Sequence, residues 1–211
     1  MARQSSNPAA VCNLPDHATM VANIASRYIG AEKHHVHAGY DWYGEAQQFA
    51  RSLAAGSAFP LRSVAGIIAA LSPQCGWQKN KEAAIAAIDV FNIAGRIDIS
   101  LHTKVQMGKV RAILEDGVVP LEVLKGPKES AFFRNIMGDY SVCTVDRWAF
   151  KTAVGVALPD VNPVTGKSLG GISRGAYKRI HAAYVDAAGY LGVPVAILQA
   201  IVWVVERNSA L

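Results

Sequence analysis

The sequence predicts an all-α protein, and three observations predict it. Apolar residues recur every three or four positions in several separate segments, which is the spacing of one buried helix face. Residues typical of helix starts precede two of these segments, namely Ser173 as an N-cap and Pro194 at a first helical position. Strand-like runs such as 141–145 are too short and too isolated to build a sheet.

Apolar stripes mark the clearest helices, and weaker patterns mark the others. The stripes lie at 64–71, 107–114, 177–191 and 195–205. The window 193–205 is the most apolar, but it is short and interrupted by Pro194 and Gln199, so we expect a core helix there. The remaining predicted helices cover 16–28, 41–54, 78–91, 121–124, 129–137 and 147–156.

Two segments break the helical pattern and are predicted as loops. Residues 31–39 hold three of the six histidines, with no cysteine or carboxylate at a zinc-ligand spacing, which favours a solvated loop. Residues 158–171 are rich in proline and glycine and are predicted to form a surface loop of a length that is often functional. We expect a single compact helical unit over 1–211, with 1–15 flexible.

Composition excludes several classes of protein. Hydrophobic residues make up 51 % of the 211 residues and charged residues 18 %, which is typical of a globular chain. No apolar run approaches the roughly 20 residues of a membrane span, and 1–7 lack the pattern of a secretory signal. Three cysteines are too few for a disulfide framework or a four-thiolate metal site. We therefore expect a monomer in the reducing cytoplasm, or in that of the host cell if the protein is viral, with no membrane partner.

The net charge of +5 favours a polyanionic partner, and its distribution strengthens the inference. If the fold gathers the basic side chains of the middle third on one face, phosphate contacts follow. These residues are Lys79, Lys81, Lys104, Lys109, Arg111, Lys125, Lys128, Arg134, Arg147 and Lys151.

The segment 124–131 (LKGPKESA) carries the first element of a candidate site. It places Gly126 and Pro127 between a short helix and a longer one, where backbone amides at the second helix start can bind a phosphate. Lys128 stands at the mouth of that second helix. Asp146 opens the next helix, 18 positions further on.

These features resemble the endonuclease III-type DNA glycosylases of the helix-hairpin-helix superfamily. That family carries a hairpin of the form LPGVGRKTA, an apolar helix and then VDTH, with its catalytic lysine and aspartate also 18 apart. Lys128 and Asp146 match those two residues. Upstream, 71–74 (LSPQ) is similar to the family's LSAQ, and 80–83 (NKEA) to its NKAT. The resemblance implies a glycosylase-like core over 64–153, with the hairpin near 124–131.

The resemblance also implies a function, because enzymes that act on a base flip it out of the stack into a pocket. Asp146 would stabilise positive charge on the sugar or activate a nucleophile, and Lys128 would attack C1′ to form a Schiff base. Gln74 would fill the gap in the duplex, and the turn at Gly126 would hold a phosphate. Further candidates are Lys125, Arg147 and Lys81 for DNA binding and Trp77, Asn80 and Trp148 for the base pocket. Double-stranded DNA is the expected partner.

Departures from the family pattern point to a second resemblance. The second hairpin glycine is missing, and no cysteine set matches the family's iron–sulfur ligands, so we expect no cluster, no metal and no other cofactor. The motifs VDRW at 145–148 and QAIVW at 199–203 look like those of small phage-encoded proteins of the glycosylase fold. Some of that group are implicated in thymidine hypermodification, in which an amino acid or amine is joined to 5-pyrophosphorylmethyl-uracil in DNA. Asp146 would then accept a proton from the attacking amine.

Simpler roles stay open for the same residues. Asp146 fits an ordinary helix N-cap, alone or together with catalysis, and Gln74 fits a cap of the preceding helix. Lys128 is also consistent with a surface lysine near a helix start, and Trp77, Trp148 and Trp203 are consistent with core residues. The protein as a whole fits three functions: a glycosylase with lyase activity, a base-modifying transferase, or a DNA-binding module without catalysis.

Overall fold

The computed structural model describes residues 14–158 and 171–208, and all regular secondary structure within them is α-helical. The all-α prediction is therefore confirmed. In chain order the helices are α1 (His17–Ile29), α2 (Lys33–Ala55), α3 (Leu61–Ala70), α4 (Trp77–Ala94), α5 (Lys104–Leu114), α6 (Pro120–Val123), α7 (Pro127–Ile136), α8 (Arg147–Val154), α9 (Arg174–Leu191) and α10 (Val195–Asn208).

The chain packs as two compact units. The central unit is Tyr43–Asp139, and the terminal unit combines Met1–Trp42 with Tyr140–Leu211. Helix α2 begins in the terminal unit and ends in the central one. The expectation of one compact unit over 1–211 stays a prediction.

Helix α3 is the core of the central unit. Every residue from Val64 to Ala70 is buried, because α4, α5, α6 and α7 all pack against this helix. A Cβ on Gly66 would lie 2.5 Å from Cγ of Pro120, so the absence of a side chain there lets α3 and α6 approach closely. The helices that carry the hairpin are thereby held against a fully apolar support.

The terminal unit has its own core, built where α1, α8, α9 and α10 meet. Met20, Ile24, Phe150, Tyr184 and Leu198 are buried at its centre. The predicted apolar stripes of α9 and α10 supply much of this core, as their period requires. Ser173 is confirmed as the N-cap of α9, since its side chain accepts a hydrogen bond from the backbone N–H of Ala176.

Helix α2 corrects one prediction. The histidine-rich segment 31–39 was expected to be a solvated loop, but α2 already begins at Lys33, so that expectation is wrong. The physical reason is tertiary: a Cβ on Gly39 would lie 2.4 Å from Cα of Ile201, so α2 and α10 meet backbone to backbone at a residue without a side chain.

Several other expectations fall wholly or mainly outside the described residues. The flexible start at 1–15 lies there except for its last two residues, and the surface loop at 158–171 lies there except for its two ends. Across 14–158 and 171–208, no single helix is long and apolar enough to cross a membrane. Helices α9 and α10 meet the length and composition for a span only as a pair, and that pair is bent by 101°.

The close approach at Gly39 makes a testable prediction. Gly39→Ala should lower the free energy of unfolding by about 1–3 kcal/mol, because the added methyl group meets backbone that cannot turn aside. Gly44→Ala on the same helix is the matched control. Nothing lies within 4 Å of its added Cβ, so it should raise that free energy by about 0.5–1 kcal/mol. Urea unfolding measures both, and a Gly39→Ala variant as stable as Gly44→Ala would contradict the packing described.

Candidate active site

The turn between α3 and α4 holds Gln74 in a strained conformation. Its φ is 53°, and it is the one non-glycine residue with positive φ in the part of the chain that the structure describes. The preceding carbonyl, that of Pro73, accepts a hydrogen bond of 2.7 Å from Nε2 of His102. Nδ1 of His102 accepts from the backbone N–H of Thr103, so Nε2 is the ring nitrogen that donates to Pro73. The turn is thus held from outside, and the Gln74 side chain stays exposed.

Strain of this kind costs on the order of 1–3 kcal/mol and concentrates at functional sites. Gln74 is not the cap of α3, because that position is taken by Leu71. The capping role left open by the sequence is therefore wrong. The exposed side-chain amide of Gln74, held on a strained turn, is the kind of group that projects into a binding partner.

The predicted hairpin forms between α6 and α7. Gly126 is the N-cap of α7 and supplies no side-chain cap, Pro127 occupies the first turn, and Lys128 follows it, half-buried. A Cβ on Gly126 would lie 3.0 Å from Oε2 of Glu129, so this position favours glycine. Lys125 is exposed, and its Nζ reaches the carbonyl of Leu121 at 3.4 Å. Gly126 has no side chain that could cap the backbone N–H groups at the start of α7.

The central unit brings the Gln74 turn and the hairpin together. Cys75, next to Gln74, lies within the electrostatic reach of both Lys79 and Lys128. The rings of Trp77 and Phe132 meet edge to face at 6.4 Å, which joins the start of α4 to α7. The starts of α4 and α7 therefore lie in one region together with Lys79 and Lys128, although α5 and α6 separate the two helices in the sequence.

Three more predicted residues lie on α4. Lys81 places its Nζ 5.7 Å from the ring centre of Trp77 and 6.0 Å from that of Phe49. Asn80 is buried, and its Nδ2 donates to the carbonyl of Ile68 at 3.0 Å, which ties α4 to α3. Trp77 and Lys81 are both partly exposed. The base-pocket role of Asn80 stays a prediction.

A buried ion pair fixes α7 beside this region. Glu129 is 6 % exposed, and both of its carboxylate oxygens accept from Nζ of Lys109, at 2.6 and 2.7 Å. The pair ties α5 to the first turn of α7, one residue beyond Lys128. The sequence predicts Lys109 only as part of a basic surface and gives no sign that Glu129 is its partner, since the contact spans 20 positions.

The surroundings of Cys75 allow the placement of Lys128 to be tested. Burial raises the pKa of the Cys75 thiol, and the charges of Lys79 and Lys128 oppose that rise. Lys128→Gln should therefore raise this pKa further and slow alkylation of Cys75 by iodoacetamide at pH 8, because less thiolate is present. A Cys12→Ser background keeps the measurement specific, and Lys125→Gln, which removes an exposed lysine of the same hairpin, is the control. Equal rates in both variants would contradict the placement.

Asp146 lies in the terminal unit, as the N-cap of α8. Its Oδ1 accepts from the backbone N–H groups of Trp148 and Ala149, each at 2.9 Å. The capping role left open by the sequence is thus confirmed. The two amides fix the direction of the carboxylate, which is half-buried.

Tyr177 and His181 hold the segment that leads to Asp146, and sequence analysis assigned neither. The Tyr177 hydroxyl donates to the carbonyl of Cys143 at 3.0 Å and accepts from the N–H of Val145 at 3.2 Å. The backbone N–H of Cys143 donates to Nε2 of His181 at 3.4 Å. Tyr177 matched an apolar stripe, so its sequence gave no signal for this bridge.

The groups beneath Asp146 are buried and neutral. Burial raises the pKa values of Cys143, Tyr177 and Tyr184, and the negative charge of Asp146 raises each further. These groups therefore keep their protons at neutral pH and place no competing charge near the carboxylate.

Arg147 and Trp148 follow Asp146 on α8. Arg147 is exposed and donates to the carbonyl of Leu158 at 2.9 Å. Trp148 is half-buried, with Nζ of Lys151 5.6 Å from its ring centre. The predicted site residues are thus divided: Asp146, Arg147 and Trp148 belong to the terminal unit, and the others to the central unit. The pairing of Asp146 with Lys128 stays a prediction.

Each unit presents a different set of chemical groups. Among the described residues, no three His, Cys, Asp or Glu side chains come together as metal ligands would. The central unit can contact phosphates and insert a side chain, and the terminal unit presents an oriented carboxylate.

Comparisons with known proteins give one match. A protein-family model described as a family of unknown function (DUF7178) matches residues 9–210. No curated protein and no solved structure matches the chain.

Proposed function

The chain belongs to the DUF7178 family, whose function is unknown, and from its residues we propose that it is an enzyme that acts on a base in double-stranded DNA. We propose a helix-hairpin-helix glycosylase-like fold, with Asp146 and Lys128 as the reacting groups. In its simplest form the activity is that of a DNA glycosylase with lyase activity, working as a cytoplasmic monomer.

One observation carries the proposal. The strained Gln74 turn lies together with the start of α7, and the charges of Lys79 and Lys128 both reach Cys75 in that region. A duplex-distorting enzyme needs such a combination: cations and backbone amides for phosphates, and a projecting side chain for the space that a flipped base leaves. Neither an ordinary helix connection nor a solvated surface requires a glutamine with positive φ.

The proposed chemistry assigns a separate task to each residue. The amine of Lys128, once it has lost its proton, attacks C1′ of the sugar, and the base leaves with the electrons of the glycosidic bond and takes up a proton. The C1′–O4′ bond then breaks, with the remaining amine proton passing to O4′, and the resulting imine holds the sugar covalently until water or elimination releases it. The Asp146 carboxylate stabilises the positive charge that builds up on the sugar.

The decisive experiment is mass spectrometry of nucleosides from DNA before and after incubation. The substrates are duplexes that each carry one modified base, with 5-hydroxymethyluracil and 5-pyrophosphorylmethyl-uracil among them. Loss of a base with formation of an abasic site is the expected result. A heavier nucleoside, formed in the presence of an added amine or amino acid, would instead establish the transferase, and unchanged DNA throughout would leave a binding module.

Borohydride trapping tests the role of Lys128 on whichever duplex loses its base. Reduction of the imine should leave a stable protein–DNA adduct in the wild type and none in Lys128→Gln. Lys125→Gln is the matched control, since that lysine is exposed in the same hairpin and should keep the adduct. An adduct that persists without Lys128 would overturn its role as the nucleophile.

A further inference from the structure

The terminal unit contains a cavity that the proposed function does not use. Its volume is about 310 Å³, and it lies at the C-terminal ends of α1 and α8, beside the last turn of α10. A cavity of this size holds about ten water molecules. Charged and polar side chains line it, among them those of Arg27, Lys151, Thr152 and Glu206.

A buried carboxylate organises this cavity. The Glu206 side chain is 1 % exposed, and Oε1 lies 2.7 Å from Nη2 of Arg27 while Oε2 lies 2.7 Å from Nζ of Lys151. The Thr152 hydroxyl donates to Oε1 at 3.2 Å. Burial of a carboxylate without a counter-charge is very unfavourable. The buried Glu206 carboxylate therefore holds the side chains of Arg27 and Lys151 beside it.

The cations carry more charge and more donors than Glu206 can match. A guanidinium and an ammonium together offer eight N–H donors, whereas a carboxylate has about four acceptor sites. The Arg27 and Lys151 side chains remain 41 % and 31 % exposed, and both line the cavity. One carboxylate against two cations leaves one positive charge, which the C-terminal ends of α1 and α8 offset only in part since they act through partial charges.

From this imbalance we infer that the cavity binds a small molecule through an oxyanion group, either a carboxylate or a phosphate. Arg27 and Lys151 supply charge-assisted hydrogen bonds, with Glu206 as the residue that positions them. Asn23 and Ser26 line the same cavity and add polar groups for the rest of the ligand. The volume of about 310 Å³ falls in the range of small-molecule sites.

NMR titration of the ¹⁵N-labelled full chain tests this inference. Sodium phosphate and sodium acetate are added separately at constant ionic strength, and the amides of Gly30 and Gly155 report on the cavity. We expect saturable shifts of these amides with at least one anion. Arg27→Gln and Lys151→Gln should each weaken binding about tenfold or more. Lys178→Gln, which changes an exposed lysine of the same unit outside the cavity, should bind as the wild type does.

A variant of Glu206 tests the charge imbalance in the opposite direction from the two cation variants. Glu206→Gln removes the internal negative charge, so it should bind the anion more tightly than the wild type, and its melting temperature should rise more steeply with anion concentration. The inference would be overturned by no saturable shift with either anion, by cation variants that both bind as tightly as the wild type, or by shifts caused only by a duplex oligonucleotide. None of these outcomes depends on base-directed activity, so this inference and the proposed function fail separately.

Discussion

Asp146→Asn is expected to reduce the rate of base removal about 10²–10⁴-fold, the range that proton-transfer and charge-stabilising carboxylates contribute. It should leave the melting temperature within about 2 °C of the wild type, because Asn caps helices as well as Asp does. The capping bonds go to the N–H groups of Trp148 and Ala149, and the amide oxygen of Asn can accept both. The substitution therefore removes the charge and keeps the cap.

Asp146→Ala is the matched variant that removes both. It should lose the same activity and about 1 kcal/mol of unfolding free energy as well, which lowers the melting temperature by about 2–4 °C in a chain of this length. Calorimetry and nucleoside mass spectrometry on the same samples measure the two effects. If Asp146→Asn keeps full activity, Asp146 is a cap and nothing more, and the proposed mechanism fails.

Lys109→Met should lower the free energy of unfolding by about 3–5 kcal/mol, the second large effect. Glu129 is 6 % exposed and receives both of its short hydrogen bonds from Lys109, so the substitution leaves a buried carboxylate without its counter-charge. The damage should be centred on the first turn of α7, which carries Lys128. Urea unfolding with an unchanged m-value would show that stability alone has changed.

Two further variants make this second result specific. Lys104→Met changes an exposed lysine on the same helix and should alter the free energy of unfolding by no more than about 0.5 kcal/mol. Lys109→Met combined with Glu129→Met should be more stable than Lys109→Met alone, since no unpaired charge then remains. A double variant no better than the single one would mean that packing, and not charge, is what Lys109 supplies.

The local features of the candidate site follow from the sequence because they depend on neighbours in the chain. The start of α8 at Asp146 and the start of α7 beyond Gly126 are both set by residue types at fixed offsets: a carboxylate that caps, a glycine and a proline. The same holds for α9 after Ser173. The starts of α8 and α9 agree with the prediction, whereas α7 begins at Pro127, two residues before the predicted start at 129.

The supporting contacts could not be predicted, because they join residues that are far apart in the chain. The bridge from Tyr177 to Cys143 spans 34 positions, and the hydrogen bond from His102 to Pro73 spans 29. A tyrosine on an apolar stripe looks the same whether its hydroxyl meets solvent or backbone. The hydrogen bond from Nδ2 of Asn80 to the carbonyl of Ile68, which spans 12 positions, is of the same kind.

By itself, the sequence determined that this protein is helical, that α8 and α9 begin directly after Asp146 and Ser173, and that a glycine–proline turn precedes α7. Those properties depend on periodicity and capping within a few residues. Only the tertiary structure decided that α2 extends back to Lys33, where Gly39 meets Ile201, and that Glu206 gathers Arg27 and Lys151 around a cavity. Close backbone contact and the burial of charge are set by distant residues, and no local pattern encodes them.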